Sequence, residues 1–143
     1  WDAVIDTNLR GAFNVMRAVT RGMMKKKAGR IINISSVVGV TGNKGQANYA
    51  ASKAGVEGLL RGLAKELAGT GVTTAAIAPA NIDTDIMGGH LEGERRAQFV
   101  ARTPVGRLGT TEELGELVAF LVGPHGGFTT GATYNLNGGL RVG

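Results

Sequence analysis

The chain has 143 residues, 43% of them hydrophobic and 19% charged, which suits one domain with its own core and argues against a disordered segment. It contains no cysteine, which excludes a disulfide framework and any cysteine-ligated zinc or iron–sulfur centre, and its apolar runs are too short to span a bilayer. A net charge of +5 invites a nucleic-acid reading, but aromatic residues make up 5% of the chain and none interleaves with the basic cluster Lys25, Lys26, Lys27 and Arg30, so a base-stacking surface is not expected.

In chain order, Val4, Ile5, Leu9, Ala12, Phe13, Met16, Val19 and Met23 recur at intervals of three and four, which predicts one amphipathic helix over residues 2 to 27. Its basic end suits the negative pole of the helix, and Gly29 stops it. Ile31, Ile32 and Ile34 predict a short strand, apolar on both faces and therefore central in a parallel sheet. Residues 39 to 45, with Gly39, Gly42 and Gly45, read as a loop.

A second helix is expected from Gln46 to Ala68, with an apolar stripe of Val56, Leu59, Leu60, Leu63 and Leu67, closed by Gly69 and Gly71. Val72 to Ala78 follows as a strand stopped by Pro79. Residues 80 to 109 read as irregular or weakly helical, a connection long enough to suggest function. Thr110 and Glu113 have the spacing of a capping box ahead of Leu114, Leu117, Val118 and Leu121, Gly123-Pro124 ends that helix, and Ala132 to Leu136 is the last strand.

Alternation of helix and strand predicts an α/β protein with a parallel, doubly wound sheet and right-handed crossovers. Ligands of such sheets sit beyond the carboxyl ends of the strands. Here those ends lead into Ser35-Ser36, Pro79 to Met87, and Asn137-Gly138-Gly139.

Tyr49 and Lys53 lie four apart on the second helix, so their side chains share a face. A phenol is ordinarily too weak an acid to donate a proton efficiently at neutral pH, and a neighbouring ammonium corrects that by stabilising phenolate. Ser36, past a strand at the same sheet edge, can reach the same substrate oxygen. Each has a plainer reading: a solvated Tyr–Lys pair, a serine that caps a turn, and, for Asn8 in the first helix, a buried amide satisfied by backbone. His90 and His125 are isolated, so no metal site is expected, and Asp83 and Asp85 read as loop residues.

Several stretches together carry a family resemblance: Thr7-Asn8-Leu9, Gly29 through Gly39, Gly42 through Lys53, Pro79 through Asp85, Pro104 through Arg107, and Asn137-Gly138-Gly139. In these the chain resembles the C-terminal part of the short-chain dehydrogenase/reductase family, and in Gly42 to Tyr49 the 3-oxoacyl-[acyl-carrier-protein] reductases of fatty-acid synthesis. The resemblance implies part of a Rossmann-type domain spanning residues 1 to 143, with helices on both faces of the sheet. It implies reduction of a carbonyl by a nicotinamide cofactor, NADP with NAD as the alternative. Tyr49 would give the proton, Ser36 would hold the substrate oxygen, Lys53 would bind the nicotinamide ribose and assist Tyr49, and Asn8 would position a relaying water. Tyr49, Lys53, Pro79, Ile82 and Thr84 are the implied cofactor contacts.

Met87, in a loop from about Met87 to Thr103 that also holds Leu91 and Phe99, is the expected substrate contact. Lys26 and Lys27 are expected to attract an acidic carrier, although the family's second basic docking position is Thr70 here. The resemblance further implies a cytoplasmic homotetramer. Two departures stand out: Ala80 follows Pro79 where the family has glycine, and no glycine-rich strand-to-helix turn for the pyrophosphate occurs in the sequence. The expectation is therefore a partial domain whose dinucleotide-binding segment is missing. Another short-chain alcohol dehydrogenase, or an inactive remnant, is the alternative.

Overall fold

Three parallel strands in the order β1-β2-β3 form the sheet of the computed structural model, which describes residues 1 to 85 and 93 to 142. They are β1 (Gly29–Ile34), β2 (Val72–Pro79) and β3 (Ala132–Leu136). Gly29 pairs with Val72 and Ile34 with Ile77, while Ala75 pairs with Ala132 and Pro79 with Leu136. Parallel neighbours need crossovers, and helices supply them.

The chain enters through α1 (Asp2–Ile5), a π-helical stretch at Asp6–Arg10, and α2 (Gly11–Lys26). After β1 come a single helical turn, α3 (Val38–Thr41), and the long α4 (Ala47–Glu66). Beyond β2 lie α5 (Gly93–Arg102), α6 (Thr111–Val122) and a 3-10 turn at Pro124–Phe128 before β3.

Both faces of the sheet are covered, because alternate residues of each strand point to opposite sides. On one side Ile31, Val72 and Ala76 pack with Met16 of α2 and with Val56 and Leu60 of α4. On the other, Ala75 and Ile77 meet Leu121 of α6, with Ile32, Leu114, Leu117 and Tyr134 around them. This is the doubly wound arrangement expected from the order of elements, as part of a Rossmann-type sheet.

Four expectations need correction. The first helix is interrupted at Asp6–Arg10 by a π-helical stretch, in which the chain gains a residue per turn without breaking its apolar stripe. Within the described sheet the isoleucine strand β1 stands at one edge and β2 at the centre, with Ile34 exposed. The presumed loop at 39 to 45 begins with the helical turn α3. Finally, the irregular connection contains a regular ten-residue helix, α5.

Candidate active site

The carboxyl ends of the three strands are knitted into one rim. Ser35 N donates to Ile77 O at 2.7 Å, Val37 N to Pro79 O at 2.9 Å, and Ala80 N to Leu136 O at 3.2 Å. The segments read from the sequence as ligand-facing therefore meet at one edge. Among the described residues Lys27 is the one non-glycine with a left-handed backbone, so Ala80 carries no left-handed strain.

Ser36 is buried just past β1. Its Oγ accepts a hydrogen bond from Val38 N at 3.2 Å, and its carbonyl accepts from Gly39 N at 3.0 Å, so it closes a turn ahead of α3, whose N-cap is Val37. That bond uses a lone pair and leaves the hydroxyl hydrogen to donate. Gly39 lets α3 settle directly on α4: a Cβ there would lie 3.1 Å from Ala54 N and 3.2 Å from the Lys53 carbonyl carbon.

Tyr49 sits in the first turn of α4, half-buried. Lys53, one turn on, places Nζ 5.6 Å from the centroid of the Tyr49 ring, within cation–π range. The same ammonium donates to Ile34 O at 2.8 Å. Burial of the ammonium lowers the Lys53 pKa below the usual lysine value. An ammonium has three N–H donors, so the Ile34 bond leaves two for other acceptors.

Asn8 lies in the π-helical stretch, a distortion often found at functional sites. Its Nδ2 donates to Ser52 Oγ at 3.4 Å, and Ser52 Oγ donates to Tyr49 O at 2.7 Å. Asn8, Ser36, Tyr49 and Lys53, drawn from three elements, thus converge on the first turns of α4. Lys53, bonded to the end of β1, is thus not a freely solvated side chain.

A family model described as Enoyl-(Acyl carrier protein) reductase matches residues 1 to 141. The chain belongs to the short-chain dehydrogenase/reductase family. Among its relatives, the 3-oxoacyl-[acyl-carrier-protein] reductase of Vibrio cholerae is 49% identical over 142 residues, which cover 99% of this chain and 58% of the relative. The enzyme of the same description from Salmonella typhimurium is 48% identical with the same coverage, and that from Pseudomonas aeruginosa is 47% identical, with 57% of its length covered. The chain thus spans about 58% of the length of these curated relatives.

Against that family membership the remaining site residues divide. Pro79, Ile82 and Thr84 follow one another from the end of β2 along the rim. Ile82 is held by a bridge to Gly109, whose missing side chain makes room for Ile82 Cδ1, and it lines a cavity of about 130 Å³ with Thr103, Val105 and Asn137. Asp83 forms a bidentate ion pair with Arg96 of α5, with one contact at 3.1 Å, and the bond from Arg96 holds its carboxyl below the ordinary value. Met87, His90 and Leu91 lie outside the described residues.

Lys26 and Lys27 are exposed at the far end of α2, beside the start of β1, whereas Ser36 lies beyond its finish. Six strand residues separate them, about 20 Å. The structure does not bring these lysines into the site. It does set Lys27 beside the 70–71 turn, because a Cβ on Gly71 would lie 2.1 Å from Lys27 O. Lys27 and Thr70 are therefore neighbours on one surface.

The donor chemistry fits the nicotinamide–ribose end of a dinucleotide: a half-buried ammonium, a phenol and a backbone rim at the carboxyl ends of parallel strands. It does not supply the tight strand-to-helix turn of a phosphate cradle: among the described residues the glycine-bearing connection from β1 to α4, with Gly39, Gly42 and Gly45, is interrupted by the helical turn α3. No described helix is long and apolar enough to cross a membrane, and no group of His, Asp and Glu among the described residues gathers to hold a metal ion.

Two polar residues of this region escaped the sequence reading, Ser52 and Glu57, both buried, as is Ser35. The available signal was a glutamate following Val56 in a helix that a doubly wound sheet must cover.

Proposed function

We propose that the protein carrying this chain reduces a carbonyl to a hydroxyl with a reduced nicotinamide dinucleotide, and that residues 1 to 143 contribute its proton-delivery machinery. The observation that carries this reading is the convergence of Asn8, Ser36, Tyr49 and Lys53 at one end of α4. When bound, the nicotinamide supplies a hydride to the carbonyl carbon. Tyr49 donates its phenolic proton to the carbonyl oxygen, which Ser36 holds by its free O–H. The Lys53 ammonium stabilises the phenolate left behind and donates to the ribose, and Asn8 orders a water that returns a proton to this pair. Pro79, Ile82 and Thr84 line the nicotinamide end.

The similarity to the 3-oxoacyl-[acyl-carrier-protein] reductases supports a 3-oxoacyl thioester as substrate, NADP rather than NAD as cofactor, and a cytoplasmic homotetramer. The exposed lysines at the end of α2 suit an acidic carrier protein. The pyrophosphate turn belongs, in this reading, to the part of the domain outside these residues. The test is turnover: the complete protein should oxidise NADPH when given a 3-oxoacyl thioester, faster with the carrier-linked form than with a small ketone. Absence of NADPH binding, or of any carbonyl-dependent oxidation, would overturn the reading.

A further inference from the structure

Glu57 is a buried carboxyl that the chemistry above does not use. It lies one turn beyond Lys53 on α4, only 4% exposed. Its Oε1 accepts from Ser35 Oγ at 2.7 Å, and Ser35 is itself 3% exposed. Its Oε2 accepts from Thr133 Oγ1 on β3 at 3.3 Å, with Arg61 Nη1 at 3.8 Å. Ser35 Oγ lies in addition 3.3 Å from Lys53 O. One side chain thus joins the end of β1, the helix that carries Tyr49 and Lys53, and the outer strand.

Burying a carboxyl is costly unless its oxygens are matched, and a matched one is costly to disturb. A glutamate here is therefore a poor choice for stability alone, since an apolar residue would fill the same volume next to Val56 and Leu60. What it adds is direction: Ser35 immediately precedes Ser36, and fixing the Ser35 side chain fixes where the β1–α3 corner sits on α4.

We infer that Glu57 is a positioning residue for the reaction, which through the Ser35 hydroxyl sets the placement of Ser36 relative to Tyr49 and Lys53. The inference rests on the proposed reductase activity. Without Glu57, the Ser35 hydroxyl keeps only the longer contact to the Lys53 carbonyl, and the corner is held on α4 less firmly. With glutamine, an amide oxygen still accepts from Ser35 and the corner stays.

The test uses the complete protein with Glu57→Leu, Glu57→Gln and the double variant Ser35→Ala/Glu57→Leu. Glu57→Leu should lower kcat about tenfold to a hundredfold with KM for NADPH unchanged, the size expected when reacting groups are displaced slightly. Glu57→Gln should restore most of the rate. The double variant, which removes the fully buried Ser35 hydroxyl together with its acceptor and leaves only the part-buried Thr133 hydroxyl without one, should recover part of the thermal stability without recovering kcat. Hydrogen exchange at the amides of Val37, Val38 and Gly39 reads the same corner without reference to turnover: Glu57→Leu should accelerate it while leaving Ala76 and Ile77 on β2 protected. Unchanged exchange at residues 37 to 39, or a kcat that falls only in step with stability, overturns the inference. An inactive wild-type protein would overturn the proposed reductase, and the exchange result would still decide whether Glu57 holds the corner.

Discussion

Lys53 Nζ donates to the carbonyl oxygen of Ile34 at 2.8 Å, tying the helix that bears the phenol to the last residue of β1. The bond holds a half-buried ammonium beside Tyr49 at a cost. Burial lowers the Lys53 pKa, so between that lowered value and the ordinary 10.5 the unfolded chain binds more protons than the folded one. The associated stability is present above 10.5 and is lost as pH falls through the folded value. Compared with Lys53→Met, the wild-type protein should gain urea resistance as pH is raised toward 10.5, and Lys53→Met should abolish turnover. Parallel stability curves for the two proteins would contradict this.

Gly39 is where α3 rests on α4. A valine there must displace the backbone around Lys53 and Ala54, moving Ser36 away from the phenol. Gly39→Val should reduce kcat by about tenfold or more while leaving NADPH affinity within a small factor, measured by steady-state kinetics and cofactor titration.

At Gly71 two constraints coincide: its φ is +83°, and a Cβ would overlap Lys27 O. Left-handed strain alone is about 1 kcal/mol, and the overlap adds more. Gly71→Ala should lower stability by at least about 2 kcal/mol in denaturant titration, with the surface around Lys27 and Thr70 disturbed first.

Capping of α6 gives a pH signature of its own. Thr110 Oγ1 accepts from Glu113 N at 3.2 Å, Glu113 accepts in return from Thr110 N at 2.9 Å, and Arg107 clasps the same carboxylate. Chiefly through the Arg107 hydrogen bond, the Glu113 pKa falls from 4.5 to about 2. Its contribution is complete above 4.5 and is lost as pH falls through about 2, so Glu113→Gln should flatten that part of the acid-unfolding profile. Thr110→Ala should cost about 1 kcal/mol at neutral pH, read from denaturant midpoints.

Much of this was legible in the sequence because it depends on local spacing. The Thr110–Glu113 capping box, the strand Ala132–Leu136 and the Tyr49–Lys53 face are all set within a few residues. Other features depend on partners far along the chain. The π-helical stretch leaves the apolar pattern around Asn8 nearly unchanged, so periodicity could not reveal it. Glu57 reads as the solvent side of an amphipathic helix, yet Ser35 from β1 and Thr133 from β3 close over it.

Tyr49→Phe in the complete protein removes a single oxygen from the site and leaves the ring beside Lys53. NADPH-dependent reduction of a 3-oxoacyl thioester should then fall by about a thousandfold or more, with NADPH binding retained. A variant that keeps most of the wild-type rate would contradict proton donation by Tyr49.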